Sequence, residues 1–300
     1  MPARYYVLDV FTDTALEGNP LAAVVDSEGL SDAAMQKIAA EFNLSETIFL
    51  EPAKEAGNRA RIRIFTRTLE LPFAGHPTVG AAALIAFLDG AGSEEAHFSL
   101  EETVGTLPCR AQMLSELSAA ATFGLPRLPE VEPAHGSREA LAAALSLEAS
   151  DIGFGEHAPL EMSAGTPFTA VPLADMATLA RAAPRPDVWV EAFGDGSHAA
   201  AFLYTARGEG SDAAYRSRVF APNQGIREDP ATGSAAAAFI GAMAHFEKPE
   251  DGSHRRVVEQ GFEMGRPSRL VAEFTTKGGQ VTQASIGGDV AIVARGELLL

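Results

Sequence analysis

The sequence predicts an α+β protein made of two similar halves. At 300 residues, the chain is long enough for two domains of ordinary size. Two almost entirely apolar helices are predicted, over Val79–Leu88 and Ala235–Phe246, and each follows a strand, a loop and a glycine. The strands that open the two copies, Arg63-Ile64-Phe65 and Arg218-Val219-Phe220, lie 155 residues apart, which favours duplication of one unit.

The elements of the first half follow from local patterns. Ser31 is a suitable cap for a helix whose Met35, Ile38, Ala39 and Phe42 share one face, and Asn43 is expected to end it. Alternation and β-branched content predict the strands of this half. Their predicted ranges are Tyr5–Val10, Leu21–Val25, Thr47–Leu50, Arg59–Thr66, His97–Leu100 and Thr106–Met113.

The second half follows a similar order after a Pro- and Glu-rich stretch, Leu125–Gly136, which is predicted to be a linker. Strands are expected on both sides of the second apolar helix. Their predicted ranges are Ala199–Thr205, Tyr215–Ala221, Arg255–Gln260, Arg269–Thr275, Gln280–Ile286 and Val290–Ala294.

Composition narrows the class of protein. The net charge of −17 disfavours nucleic acid and anionic membrane surfaces as partners. Cys109 is the only cysteine, so neither an internal disulfide nor a cysteine metal cluster is expected. The seven histidines show no ligand spacing, and no metal site is predicted. Since no signal peptide or membrane-spanning run is recognised, the expected location is the cytoplasm.

The starts of the two apolar helices are candidate binding elements. The first turn of a helix leaves backbone N–H groups unpaired at the positive end of its dipole. Gly75 and Gly233 would let a ligand approach that backbone closely, and two such starts facing one cleft between the halves would suit a carboxylate. Taken singly, the glycines would only ease turns and Ser234 would only cap its helix.

Three titratable residues stand near these features. Glu46 lies between a helix and a strand, a position that by itself is typical of a surface loop carboxylate. His76 at a helix start can exchange a proton near neutral pH, although such a histidine also commonly caps or packs. Asp229 either caps the second apolar helix electrostatically or faces a ligand.

Several segments together resemble the phenazine-biosynthesis PhzF-like isomerase family. They are DVFTDTALEGNPLAAVV, FNLSETIFL, RIRIFTRTLELPFAGHPTVGAA, VFAPNQGIREDPATGSAAAAF and QGFEMGRPSRL, which occur in the family's order and span nearly the whole chain. The resemblance implies a fold like that of diaminopimelate epimerase, with two pseudo-symmetric domains that are each a barrel-like curved sheet around a central buried helix. It also implies a homodimer without a cofactor.

The resemblance assigns site residues position by position. Glu46, in S-E-T, matches the family's acid–base glutamate, and His76 and Asp229 would redistribute protons on polar groups of a small, anionic substrate. Gly75 in G-H-P-T, and Thr232, Gly233 and Ser234 in D-P-A-T-G-S, match positions that line the substrate.

The resemblance also sets the expected domains and the alternatives. An N-terminal domain over residues 1–115, joined by a returning strand at about 288–300, and a C-terminal domain over 116–287 are expected. Related epimerases carry a cysteine at each helix start, where this chain has Ala74 and Thr232. Isomerisation is therefore favoured over an amino- or hydroxy-acid epimerase or racemase, and a non-catalytic binding protein is the third hypothesis.

Overall fold

A computed structural model describes residues 3–90, 92–196, 199–208 and 211–300. The chain divides into two compact units, one formed by Met1–Pro126 with Ile286–Leu300 and the other by Arg127–Ser285. None of the helices within the described ranges has the length and apolar character needed to span a bilayer.

The first unit contains two helices and the strands around them. The helices are α1 (Asp32–Phe42) and α2 (Gly75–Leu88). The strands are β1 (Ala3–Val10), β2 (Asn19–Val24), β3 (Thr47–Glu51), β4 (Ala60–Phe65), β5 (Glu70–Leu71), β6 (Ala96–Glu102), β7 (Gly105–Ser115) and β8 (Ser118–Gly124).

The second unit contains the remaining elements. Its helices are α3 (Arg138–Ala144), α4 (Met176–Arg181), α5 (Trp189–Phe193) and α6 (Gly233–Glu247). Its strands are β9 (Glu130–Pro133), β10 (Leu160–Ser163), β11 (Pro167–Pro172), β12 (Ala201–Ala206), β13 (Tyr215–Ala221), β14 (Ile226–Asp229), β15 (Gly252–Gln260) and β16 (Ser268–Lys277). The last strand, β17 (Gln280–Leu298), begins in this unit and ends in the first.

The first unit is a closed barrel around α2. Strand pairing runs from β17 through β1, β2, β3, β4, β6, β7 and β8 and returns to β17. Helix α2 packs against β1, β2, β3, β7 and β8, and all its residues from 75 to 86 are buried. The nearly uniform apolar composition of α2 follows from this position, because a helix enclosed by a barrel has no face toward water.

The second unit repeats this connectivity. In the first unit, β4 pairs antiparallel with β3 and β5 and parallel with β6, the strand that follows the central helix. In the second unit, β13 pairs antiparallel with β12 and β14 and parallel with β15, which again follows the central helix. Helix α6 packs against β9, β10, β11 and β16, and its residues 235–243 are all buried. The predicted repeat and its two central helices are therefore confirmed.

Local predictions are confirmed at α1 and wrong at two places. The Ser31 side chain accepts a hydrogen bond from the Ala34 N–H, and Asn43 ends α1 in the left-handed conformation. The predicted linker contains β9, which pairs with β10, so a sheet partner orders a stretch that looked like a connection. The two predicted final strands form the single strand β17, which continues through Gly287 and Gly288.

Candidate active site

The loop between α1 and β3 determines where Glu46 lies. Asn43 turns the backbone sharply with a φ of 54°, and four residues later Thr47 begins β3. Thr47 pairs in parallel with Ala22 of β2 and antiparallel with Phe65 of β4. Glu46 therefore lies directly before the first residue of β3, and its side chain is only 17 % exposed.

Helix α2 places His76 opposite that carboxylate. The distance from Glu46 Oε2 to His76 Nε2 is 3.6 Å, and the His76 side chain is 6 % exposed. Glu46 and His76 were singled out from segments 30 residues apart, and the first unit brings them together. This separation is slightly beyond hydrogen-bond length.

Burial controls the charge state of His76. Removal from water disfavours the imidazolium and lowers the pKa of His76 to about 3. The ring is therefore neutral at neutral pH, with one nitrogen able to donate and the other able to accept. Its Nε2 atom is buried and makes no hydrogen bond with any residue in the described ranges. A buried polar atom of this kind is satisfied when a ligand reaches it.

The start of α2 has the features of an anion-binding element. Ala74 precedes the helix, and among the described residues no side chain caps it. Gly75 is the first helical residue and is buried. The Oγ1 atom of Thr47 is also buried and forms no hydrogen bond within the part of the chain that the structure describes. Uncapped N–H groups and the positive end of the helix dipole therefore lie beside the Glu46–His76 pair.

The corresponding helix start in the second unit carries the other predicted residues. The Thr232 hydroxyl donates to Asp229 Oδ2 over 2.5 Å. Thr232 precedes α6, Gly233 is its buried first residue and Ser234 its half-buried second. The structure thus brings Asp229, Thr232, Gly233 and Ser234 together within the second unit. No side chain in the described ranges caps α6.

Gln260 organises this helix start and was not singled out from the sequence. Its amide nitrogen donates to the Asp229 carbonyl over 2.8 Å and to the Thr232 hydroxyl over 3.1 Å. Its amide oxygen accepts from the Thr232 N–H over 3.2 Å. Gln260 is fully buried, at the end of β15. The available signal was its place as the first residue of the QGFEMGRPSRL segment that resembles the family.

Glu102, which was also missed, lies at the end of β6 below the start of α2. Its Oε1 atom is 2.6 Å from the hydroxyl of Thr78 in the first turn of the helix. Burial raises the pKa of Glu102 to about 8. The predicted strand ends at Leu100. Two residues further, Glu102 lies on the same inward face of β6, outside the predicted range.

Cys109 lies in β7 and is buried. Burial raises the pKa of its thiol to about 12, because the thiolate would lose its hydration. The residues directly before α2 and α6 are Ala74 and Thr232, so neither helix start offers a thiol. Within the described ranges, no group of three or more His, Cys, Asp or Glu side chains is arranged to hold a metal ion.

Comparison with known proteins defines the class of this chain. An uncharacterized isomerase of Mesorhizobium japonicum is 43 % identical, with 100 % of both chains covered. The trans-2,3-dihydro-3-hydroxyanthranilate isomerase of Pseudomonas aeruginosa is 35 % identical over 99 % of both chains. A phenazine biosynthesis protein of the PhzF family from Bacillus anthracis superposes with a TM-score of 0.89 at 26 % identity, with both chains fully covered. The protein is accordingly an enzyme of the isomerase class.

The family model of phenazine biosynthesis-like proteins matches residues 8–296. The chain belongs to this family. The predicted resemblance and fold class are confirmed.

Proposed function

We propose that this chain is a cofactor-independent isomerase that moves a proton on a small carboxylate-bearing molecule, with Glu46 as the general acid and base. The observation that carries the proposal is the pair formed by buried His76 and largely buried Glu46, 3.6 Å apart, beside the uncapped start of α2. A carboxylate that is largely removed from water is poised to take a proton from carbon and to return it.

His76 and the start of α2 would handle the charge that develops. When Glu46 removes a proton from carbon, negative charge builds up on a neighbouring oxygen of the substrate. Neutral His76 can donate a hydrogen bond to such an oxygen, and the α2 N–H groups favour negative charge there. Positioned proton transfer contributes about 10²- to 10⁴-fold to the rate, and orientation and electrostatics contribute the rest.

Asp229, Thr232, Gly233 and Ser234 are proposed to bind and protonate polar groups of the same substrate. The Thr232 hydroxyl and Gln260 fix the Asp229 carboxylate and the peptide before α6. Glu46 would then transfer protons at carbon, and Asp229 would transfer protons at oxygen or nitrogen.

The substrate is proposed to be a small cyclic carboxylate. The 35 % identical relative from Pseudomonas aeruginosa is named for trans-2,3-dihydro-3-hydroxyanthranilate, so this compound is the first to test. A homodimeric assembly, implied by the family resemblance, and action in the cytoplasm, expected from the sequence, are parts of the proposal.

The test is solvent deuterium incorporation during turnover in D2O. Glu46→Gln is expected to lower incorporation by at least about 10²-fold, because it removes the base while preserving side-chain shape. Glu41→Gln is the matched control, since Glu41 is exposed near the end of α1. Incorporation by Glu46→Gln at the unaltered rate would contradict the role of Glu46.

The same experiment separates the alternatives. Inversion at one carbon, detected by chiral analysis of the product, would indicate an epimerase. A compound that raises the melting temperature of the protein but never gains deuterium would indicate a binding protein. The absence of a thiol at residues 74 and 232 favours isomerisation, because a two-thiol epimerase needs a base at each helix start.

A further inference from the structure

The hydroxyl of Thr78 sits between two acceptors. Its Oγ1 atom is 2.6 Å from Glu102 Oε1 and 2.7 Å from the carbonyl oxygen of Ala74. Thr78 is fully buried and Glu102 is 7 % exposed. Both contacts are short enough to be hydrogen bonds.

Counting protons limits the possible directions of these two hydrogen bonds. A threonine hydroxyl has one proton and a backbone carbonyl has none, so Thr78 can donate to only one partner. If it donates to Ala74, the contact with Glu102 is a hydrogen bond only when Glu102 carries the proton. The other carboxyl oxygen, Glu102 Oε2, is buried and makes no hydrogen bond within the described ranges. An ionised carboxylate left in this state would be very costly.

We propose that Glu102 is a positioning residue that works as a neutral acid, donating to Thr78 so that Thr78 donates to Ala74. This relay holds the carbonyl of the residue before α2 and, through the next peptide, Gly75 and His76. The functional part of the inference rests on the proposed function of the Glu46–His76 pair. The protonation of Glu102 and the relay itself do not.

The surroundings of Glu102 are consistent with a neutral group. On α2 the titratable residue is His76, which burial keeps neutral. On β7, Cys109 is affected by the charge of Glu102, and the pKa of its thiol is about 12. Adjacent Glu101 accepts from the N–H groups of Lys54 and Glu55 and pairs in register with Arg61. The pKa of Glu102, raised to about 8, keeps the acid protonated at neutral pH.

Ionisation of Glu102 would break the relay. The ionised carboxylate would accept the hydrogen bond from the Thr78 hydroxyl. The Ala74 carbonyl would then lose the Thr78 hydroxyl as a donor. The start of α2 would then relax, and His76 would move relative to Glu46. Activity should therefore fall above about pH 8 and approach a tenfold loss per pH unit if the ionised form is inactive.

Glu102→Gln is the decisive variant because its amide also donates to Thr78 but cannot ionise. In infrared spectra, the carbonyl band of a protonated acid should be present in the unaltered protein at pH 6, lost at high pH, and missing in Glu102→Gln. The His76 ring resonances in NMR should shift with a midpoint near pH 8 in the unaltered protein and stay constant in Glu102→Gln. Neither measurement requires turnover.

The activity arm uses deuterium incorporation from pH 6 to pH 10. Glu102→Gln should keep near-normal kcat and lose the alkaline decline, whereas Thr78→Val should lower kcat at every pH and Thr78→Ser should restore it. Glu94→Gln, an exposed residue just before β6, is the matched control.

Several outcomes would overturn the inference. They are a missing acid band in the unaltered protein at pH 6, identical His76 titrations in both proteins, or an alkaline decline that persists in Glu102→Gln. If the band and the His76 shift occur but no compound gains deuterium, the relay stands and the proposed function fails.

Discussion

Replacing His76 with Gln should flatten the dependence of stability on acid pH. The folded protein holds His76 neutral down to about pH 3, whereas the unfolded chain protonates it below its ordinary pKa of 6.5. Between these values the unfolded state binds more protons, so the stability that His76 contributes is complete above pH 6.5 and is lost as the pH falls.

The magnitude follows from the two pKa values. Lowering the pH from 7 to 5 protonates His76 almost completely in the unfolded chain and hardly at all in the folded one. Linkage then gives a loss of about 2 kcal/mol in the free energy of unfolding from this residue alone. Other groups titrate in the same range, so the informative quantity is the difference between the unaltered protein and His76→Gln at each pH.

Urea unfolding followed by far-ultraviolet circular dichroism measures this difference. His97→Gln is the control, because the His97 side chain is 71 % exposed and lies in the same unit. His76→Gln should become about 2 kcal/mol more stable relative to the unaltered protein on going from pH 7 to pH 5, whereas His97→Gln should not. A constant difference for His76→Gln would show that burial does not hold the imidazole neutral.

Three further substitutions test the packing and the second unit. Gly80→Ala should lower the stability to urea by about 1–3 kcal/mol, because the added methyl would overlap the Leu21 side chain and lie 3.1 Å from Val10 Cγ2 inside the barrel. An unchanged urea midpoint would show that these side chains shift to make room for the methyl. Arg218→Leu should lower the free energy of unfolding by about 3–5 kcal/mol, because Arg218 pairs with Glu228 through two hydrogen bonds and donates to backbone carbonyls at the end of α4. Unfolding followed by Trp189 fluorescence measures this loss, and a loss below about 1 kcal/mol would contradict the prediction. Thr232→Val should lower kcat/KM for deuterium incorporation by about 10-fold or more, because it removes the hydrogen bond from the Thr232 hydroxyl to the Asp229 carboxylate. An unaltered kcat/KM would show that Thr232 is not part of the site.

Local sequence determined the central helices and the motif positions. An almost uninterrupted apolar run has no water-facing side, so α2 and α6 could be predicted as enclosed helices from composition alone. Capping chemistry likewise fixed both ends of α1, through Ser31 and Asn43. The matched motifs identified Glu46 and His76, although nothing local to either segment indicated their separation.

Tertiary structure decided which polar groups are buried and with which partners. Glu101 and Glu102 are identical and adjacent in sequence, yet backbone N–H groups satisfy one while the other faces Thr78 below α2. In the same way, β9 is a strand because it pairs with β10. Gln260 holds the start of α6 because the fold brings Asp229 and Thr232 within hydrogen-bond distance of its amide. Sequence sets the intrinsic preference of each segment, but desolvation and hydrogen-bond satisfaction depend on neighbours that are distant along the chain.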